Sequence, residues 1–167
     1  MGKISNQEVL HKISARFGEL ISIPTEPFGL LTVETTKESI IEILSFLKED
    51  KELQFNYLTD ITGIHYPDQA FSLGVIYHIH SLVNNVRLRL KVFLPDVKAE
   101  IPTATTLWNG ANWMERETFD FFGIIFTGHP DLRRILNVDE MTVFPMRREY
   151  PLEDPNRVDK KDYFFGR

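Results

Sequence analysis

Apolar residues recur along the chain with two periods. Over residues 6–19 the spacing is helical: Leu10, Ile13 and Phe17 fall on one face, and Gly18 stands where a helix stops. A short strand over residues 20–23 runs into Pro24. Pro27, Phe28 and Gly29 read as a turn, and residues 30–34 as a second strand. Thr35 opens a second helix, with Glu38 at capping-box spacing. Ile40, Leu44 and Leu47 line its buried face, and residues 48–51 form its charged end.

The middle of the chain switches to period two. Residues 55–66 alternate in part and stop at Pro67-Asp68. Residues 71–82 alternate well, with Leu73, Val75, Tyr77 and Ile79 on one side. Val86–Leu94 alternates best: Leu88, Leu90 and Val92 face one way, Arg87, Arg89 and Lys91 the other. Asn84-Asn85 tolerates the positive φ of a two-residue hairpin turn between these strands. That turn sets His80 opposite Arg89, His78 opposite Lys91, Ile79 opposite Leu90 and Tyr77 opposite Val92.

Residues 101–124 return to a helical period, in two pieces broken near Gly110. They are rich in aromatics: Trp108, Trp113, Phe119, Phe121 and Phe122, with Phe126 beyond. After His129-Pro130 the periodicity dissolves. Residues 145–167 hold three prolines and 11 charged residues in 23 positions, too little apolar surface for a core of their own. The expected fold is α+β in two layers. A mixed β-sheet packed with helices occupies residues 1–136, and residues 137–167 form an extended, partner-binding C-terminal arm.

Composition narrows the chemistry. The 167 residues suit one domain, and 43% hydrophobic with 26% charged residues suits a globular one. No cysteine is present, which excludes disulfides, thiolate nucleophiles, cysteine-ligated zinc and any iron–sulfur cluster held by this chain. Nineteen basic against 24 acidic residues, net −5, argues against nucleic acid as a partner. The longest apolar run, residues 121–126, falls far short of the roughly 20 residues of a membrane span. Residues 1–6 lack an apolar signal core, and Asn6 stands where a myristoylation motif needs Ser or Thr. A soluble chain, held at any membrane by partners, is expected.

Candidate chemistry is sparse. His78 and His80 alternate on one strand face at metal-ligand spacing, but the cations set opposite both imidazoles disfavour a divalent metal. Glu115, Glu117 and Asp120 could serve as acid–base or metal carboxylates. The plainer reading is an ion pair between Arg116 and Asp120 at i, i+4, or burial of these charges at an interface. Arg133-Arg134 and Arg147-Arg148 lie beside Asp131, Glu149, Glu153 and Asp154, so ion pairs outrank a nucleotide site. No G-x-G-x-x-G, P-loop or H-E-x-x-H motif occurs. A metal-dependent enzyme built on His78, His80, Glu117 and Asp120 is the competing class. Abundant aromatics and arginines favour an interface protein.

The run Asn112-Trp113-Met114-Glu115-Arg116-Glu117-Thr118-Phe119-Asp120-Phe121-Phe122-Gly123-Ile124 is followed by Phe126 and by His129-Pro130-Asp131-Leu132-Arg133-Arg134-Ile135-Leu136. It resembles the 30-kDa subunit family of respiratory complex I, known in bacteria as the C subunit of NADH:quinone oxidoreductase. The resemblance extends back through Leu107-Trp108, Ile101-Pro102-Thr103, the hairpin and Leu58-Thr59-Asp60-Ile61. It runs forward to Pro145-Met146-Arg147-Arg148-Glu149-Tyr150-Pro151-Leu152. The chain departs from the family at His65, where an acid is frequent, at residues 141–145, and at Glu153-Asp154.

The resemblance implies a non-catalytic, cofactor-free structural subunit of the peripheral arm of a proton-translocating complex. It implies packing on the 49-kDa-type subunit, near the terminal Fe–S cluster subunit. FMN and Fe–S clusters would sit on partner subunits, with NADH and quinone as substrates of the whole. The place implied is the cytoplasmic side of the cell inner membrane, held peripherally by partners. The matching motif residues are Trp113, Glu115, Arg116, Glu117, Asp120, Gly123, His129, Pro130, Arg133, Arg134, Arg147 and Arg148. Their implied role is to stabilise the helix–tail junction and the subunit interface. The equivalent subunit of a membrane-bound hydrogenase or a plastid-type dehydrogenase is the related alternative.

Overall fold

The computed structural model describes residues 4–22 and 24–150. Helix α1 spans Asn6–Phe17 and buries Val9, Ile13 and Phe17. Its start is fixed by a capping box at Ser5 rather than by periodicity. The Ser5 backbone N–H donates to the Glu8 carboxylate at 2.7 Å, and the Glu8 N–H donates back to the Ser5 hydroxyl at 3.3 Å.

The capping box expected at Thr35 is not made. Thr35 ends strand β1 (Leu31–Thr35), paired with Val92, and its hydroxyl donates to the Leu20 carbonyl at 2.7 Å. Strand pairing holds Thr35 extended, so helix α2 begins later, at Ile40–Glu49. Ile40, Ile43, Leu44 and Leu47 of α2 are fully buried. The strand expected over residues 20–23 reduces to single bridges, Ile21 to Thr35 and Thr25 to Thr32, which cover the outer edge of β1. Ile23 lies outside the described residues.

Strands β2 (Tyr57–His65), β3 (Leu73–Ser81) and β4 (Val86–Leu94) form an antiparallel meander. β1 joins β4 in parallel, so the sheet is mixed, in the order β1-β4-β3-β2. The hairpin register differs from expectation by two residues. Ser81 pairs with Val86, leaving a four-residue loop, and His80 faces Arg87, His78 faces Arg89, Ile79 faces Leu88 and Tyr77 faces Leu90. The cause is Asn84. Its amide donates to the carbonyls of Glu52 and Leu53 at 2.7 and 3.0 Å, which ties it to the loop after α2 and removes it from a turn apex. Asn85 alone takes positive φ, at 54°. A slip of two residues preserves both faces, so Leu73, Val75, Tyr77, Ile79, Leu88, Leu90 and Val92 still point inward.

The first half of the expected helix over residues 101–124 is not helical. It forms β5 (Glu100–Pro102), parallel to β6 (Ile125–Thr127), and then turns. Pro102 disfavours a helical conformation at Ile101, whose side chain is fully buried beside Phe126. Helix α3 follows as Ala111–Phe122 and lies against β2. Gly63 makes that approach possible, since a Cβ there would stand 2.3 Å from the Phe122 ring. Helices and inward strand residues share one core. The opposite sheet face carries Arg87, Arg89, Lys91, His78 and His80. The result is the expected two-layer α+β fold.

Candidate functional site

The charged motif residues converge on α3 and on the segment that follows β6. Glu115 is fully buried. It accepts from the Thr103 hydroxyl at 2.5 Å and from the Ala104 N–H at 2.6 Å, and so caps the turn after β5. Burial pushes its carboxyl up to about 7, against the lowering effect of those two donors. The buried Tyr77 hydroxyl on β3 feels the Glu115 charge and is itself pushed upward, chiefly by burial.

Asp120 is equally buried but fully satisfied. The N–H groups of Ile135, Leu136 and Asn137 donate to one of its oxygens at 3.1, 2.8 and 2.9 Å. Arg134 at 2.6 Å and the Asn137 amide at 3.1 Å donate to the other. Burial opposes ionisation here too, but these donors outweigh it and hold the carboxyl well below the usual range.

The expected pair between Arg116 and Asp120 is therefore not formed. Arg116 donates instead to the carbonyls of Arg133 and Arg134, both at 3.2 Å, with its guanidinium 5.1 Å from the Trp113 ring centre. The unpaired carbonyls of an extended segment attract the arginine fork, and the backbone N–H groups of the next turn take the aspartate.

Arg134 and Arg147 then build a clasp. Arg134 donates to Met141 O at 2.7 Å and Val143 O at 3.2 Å. Arg147 donates to Phe122 O and to Asp96, each at 2.7 Å. Phe144 lies between the two guanidinium groups, at 5.3 and 5.2 Å, and its edge meets Phe119. Gly123 ends α3 at φ 74°, and a Cβ there would stand 2.5 Å from Phe144. Residues 133–137, Phe144, Met146 and Arg147 are thus tied to the chain's own α3. The boundary expected after residue 136 passes between hydrogen-bonded neighbours, Leu136 and Asn137, of the Asp120 network.

The remaining motif residues sit elsewhere. His129 Nδ1 accepts from the Asp131 N–H at 3.0 Å, which leaves Nε2 as donor to Asn112 O at 3.2 Å. Trp113 is 61% exposed. With Asn109, Asn112, Gly128 and Pro130 it lines a groove of about 570 Å³. Glu117 is exposed, and Arg133 meets Asp131 at 2.9 Å on the surface. The Arg148 backbone N–H donates to His65 Nδ1 at 3.0 Å. His78 and His80 lie on the open sheet face, and the partners of His78, Arg89 and Asp60, are none of those that bind Asp120. His78 Nε2 accepts from Arg89 at 2.9 Å. Among the described residues, no three His, Asp or Glu side chains group as metal ligands. Asn137 and Phe144 are partners that sequence reading did not single out, and Thr103 entered it only through the family resemblance, because nothing local links them to α3.

The sequence profile of the family described as "Respiratory-chain NADH dehydrogenase, 30 Kd subunit" matches residues 33–156. The chain belongs to this family. Curated relatives agree along nearly the whole length. The NADH-quinone oxidoreductase C subunit of Citrifermentans bemidjiense is 41% identical over 152 residues, 91% of this chain and 93% of that one. Its counterpart in Geobacter sulfurreducens is 40% identical over 153 residues, with the same shares. Among solved structures, the trypsin-resistant fragment (1–134) of Nqo5 superposes with TM-score 0.64 at 33% identity, over 75% of this chain and 98% of the fragment. A chain of an archaeal membrane-bound sulfane sulfur reductase shares the fold at TM-score 0.74 and 22% identity, over 87% and 85% of the two chains. The clasp on α3 falls inside the profile match, from Glu115 to Arg147. No helix among the described residues of this 30-kDa family member is long and apolar enough to cross a membrane.

Proposed function

We propose that the chain is a structural and assembly subunit of the peripheral arm of NADH:quinone oxidoreductase. In this reading it supports the quinone-reducing module and carries no catalytic group or cofactor of its own. FMN and Fe–S clusters reside on partner subunits, and NADH and quinone react there. One observation carries the reading. Glu115, Arg116, Asp120, Arg134 and Arg147, five of the charged motif residues, are all engaged by this chain's own backbone and side chains. Networks closed within one chain in this way fix shape, whereas catalytic groups face a cleft that admits substrate.

The partners are the 49-kDa-type subunit and the subunit that holds the terminal Fe–S cluster. They hold the chain on the cytoplasmic side of the inner membrane. The exposed Trp113 beside Pro130 supplies an aromatic anchor of the kind interfaces concentrate. The partner-binding arm expected over residues 137–167 belongs to this proposal, and its residues 151–167 lie outside the described ones.

The test is affinity purification of the tagged chain from gently solubilised membranes, with mass spectrometry of what co-elutes. The 49-kDa-type and terminal-cluster subunits should be recovered. A chain that elutes alone, soluble and stable, contradicts the scaffold role. The purified chain should hold no metal above trace, and a stoichiometric metal lost on replacing His78 and His80 would reopen the enzyme reading.

A further inference from the structure

The clasp is fastened in two different ways. The Met146 N–H donates to Phe121 O at 3.2 Å, and the Arg147 guanidinium donates to Phe122 O at 2.7 Å. Neither carbonyl changes charge with pH. The next residue is held by a side chain that does. The Arg148 N–H donates to Nδ1 of His65, the last residue of β2, at 3.0 Å. The His65 side chain is only 6% exposed, so little water reaches the ring to replace that donor.

A second group competes for the same nitrogen. A Glu149 carboxylate oxygen stands 3.4 Å from His65 Nδ1. With a lone pair on Nδ1, the ring accepts the Arg148 N–H and repels the carboxylate. With a proton on Nδ1, it donates to the carboxylate and repels the N–H. One atom cannot serve both, and histidine is the side chain that exchanges these states between about pH 5 and 8.

The other groups around the ring come from three elements. On β3, the register partner of His65 is Leu73, which carries no charge. In the loop after β2, Tyr66 sets its ring against Phe93, at 6.1 Å. In the clasp, Arg147 meets the other Glu149 oxygen at 3.7 Å and Asp96 at 2.7 Å, while Arg148 is exposed. Arg147 thus keeps the Glu149 carboxylate within reach of His65. The Tyr150 N–H donates to Arg147 O at 3.1 Å, which makes residues 147–150 one turn, joined to β2 at Arg148.

We propose that His65 is a proton-operated latch on the end of the clasp. Unprotonated, it fixes the backbone of residue 148 to β2. Protonated, it releases that backbone and takes the Glu149 carboxylate instead. Phe144, Met146 and Arg147 keep their partners in both states, so the change is confined to the turn that leads into residues 151–167. The latch rests on the chain's own contacts and is independent of the scaffold reading.

The test is amide exchange of the full chain, followed by NMR at pH 7.5 and pH 5.5 and expressed as protection factors. Protection at Arg148 should fall at least about fivefold at the lower pH, the weight of one hydrogen bond. Protection at Leu136 and Asn137 should hold, since the Asp120 carboxylate that accepts from them stays ionised over this range. His65→Asn offers an acceptor oxygen near the place of Nδ1 that gains no proton, and should protect Arg148 equally at both pH values. Glu149→Gln removes the competing charge and should move the loss to lower pH. Glu149 is exposed, so this variant reads the latch even where His65→Asn disturbs β2. Equal protection of wild-type Arg148 at both pH values overturns the latch. A loss of wild-type size in His65→Asn overturns it as well, and so does an unmoved profile in Glu149→Gln.

Discussion

Glu115 and Asp120 are both buried on α3, yet their surroundings drive them in opposite directions. Two donors do not compensate Glu115 for lost hydration, so its folded value of about 7 lies above the ordinary 4.5. The folded chain therefore keeps a proton between those values that the unfolded chain releases. Stability from this group is full below pH 4.5 and falls as pH rises toward 7. Asp120 acts the other way, but only below its ordinary 3.8. His78, lowered by burial and by Arg89, contributes stability that is lost as pH falls below 6.5. Comparing Glu115→Gln with wild type cancels these other groups. Relative to wild type, the variant should gain about 2 kcal/mol of unfolding free energy between pH 5 and pH 8, read from urea titrations. Asp120→Asn leaves Arg134 buried without its counter-charge and should cost about 3–5 kcal/mol in the same assay at pH 7. The motif spacing marked both carboxylates in advance. It did not name their partners, because a helical i, i+4 rule sees only the helix and Asp120 is answered by residues 134–137.

At the scale of elements, α3 is held from two sides by glycines that have no room for a side chain. Gly63 admits the Phe122 ring from β2, and Gly123 admits the Phe144 ring from the clasp. Gly123→Ala meets both a left-handed backbone and a ring at 2.5 Å. It should cost more than about 1 kcal/mol and speed amide exchange over residues 144–148, with α3 still protected. Gly123→Ala combined with Phe144→Ala should cost less than the sum of the two single changes, since removing the ring removes the collision. Equal additivity would mean that ring and glycine are not coupled. The strands and helices with strong periodicity, β3, β4 and α2, were legible from their apolar spacing. The half-helix expected before Gly110 was not, because Leu107 and Trp108 point inward from turns that Glu115 and Pro102 impose. The clasp was equally hidden: its order comes from two arginines and one phenylalanine bound to a helix distant in sequence.

For the molecule as a whole, one face of the sheet is covered by helices, and among the described residues no helix covers the other, which carries His78, Arg89 and Lys91 together with Ile76 and Phe93. The α+β class and the two layers followed from alternation of elements and from apolar faces. The parallel pairing of β1 with β4 did not, since no local signal joins Leu31 to Leu88. In the proposed scaffold role, the chain should lose partners without losing its fold when an exposed anchor is removed. Trp113→Ala should leave the urea midpoint within the range of a surface change, about 0.5 kcal/mol, and lower recovery of the 49-kDa-type subunit in pull-downs. A large fall in stability with normal recovery would assign Trp113 to the fold alone. The parallel β1–β4 ladder has a further consequence, for biosynthesis. The meander can close through short loops as soon as β4 is made, but β1 must wait for β4 before it has any partner in the sheet. β1, made ahead of the other strands of its sheet, thus waits for β4, the last of them, before it joins the ladder. Its Leu31 and Val33 stay bare through much of translation, the interval in which nascent chains are most exposed to chaperones and to one another.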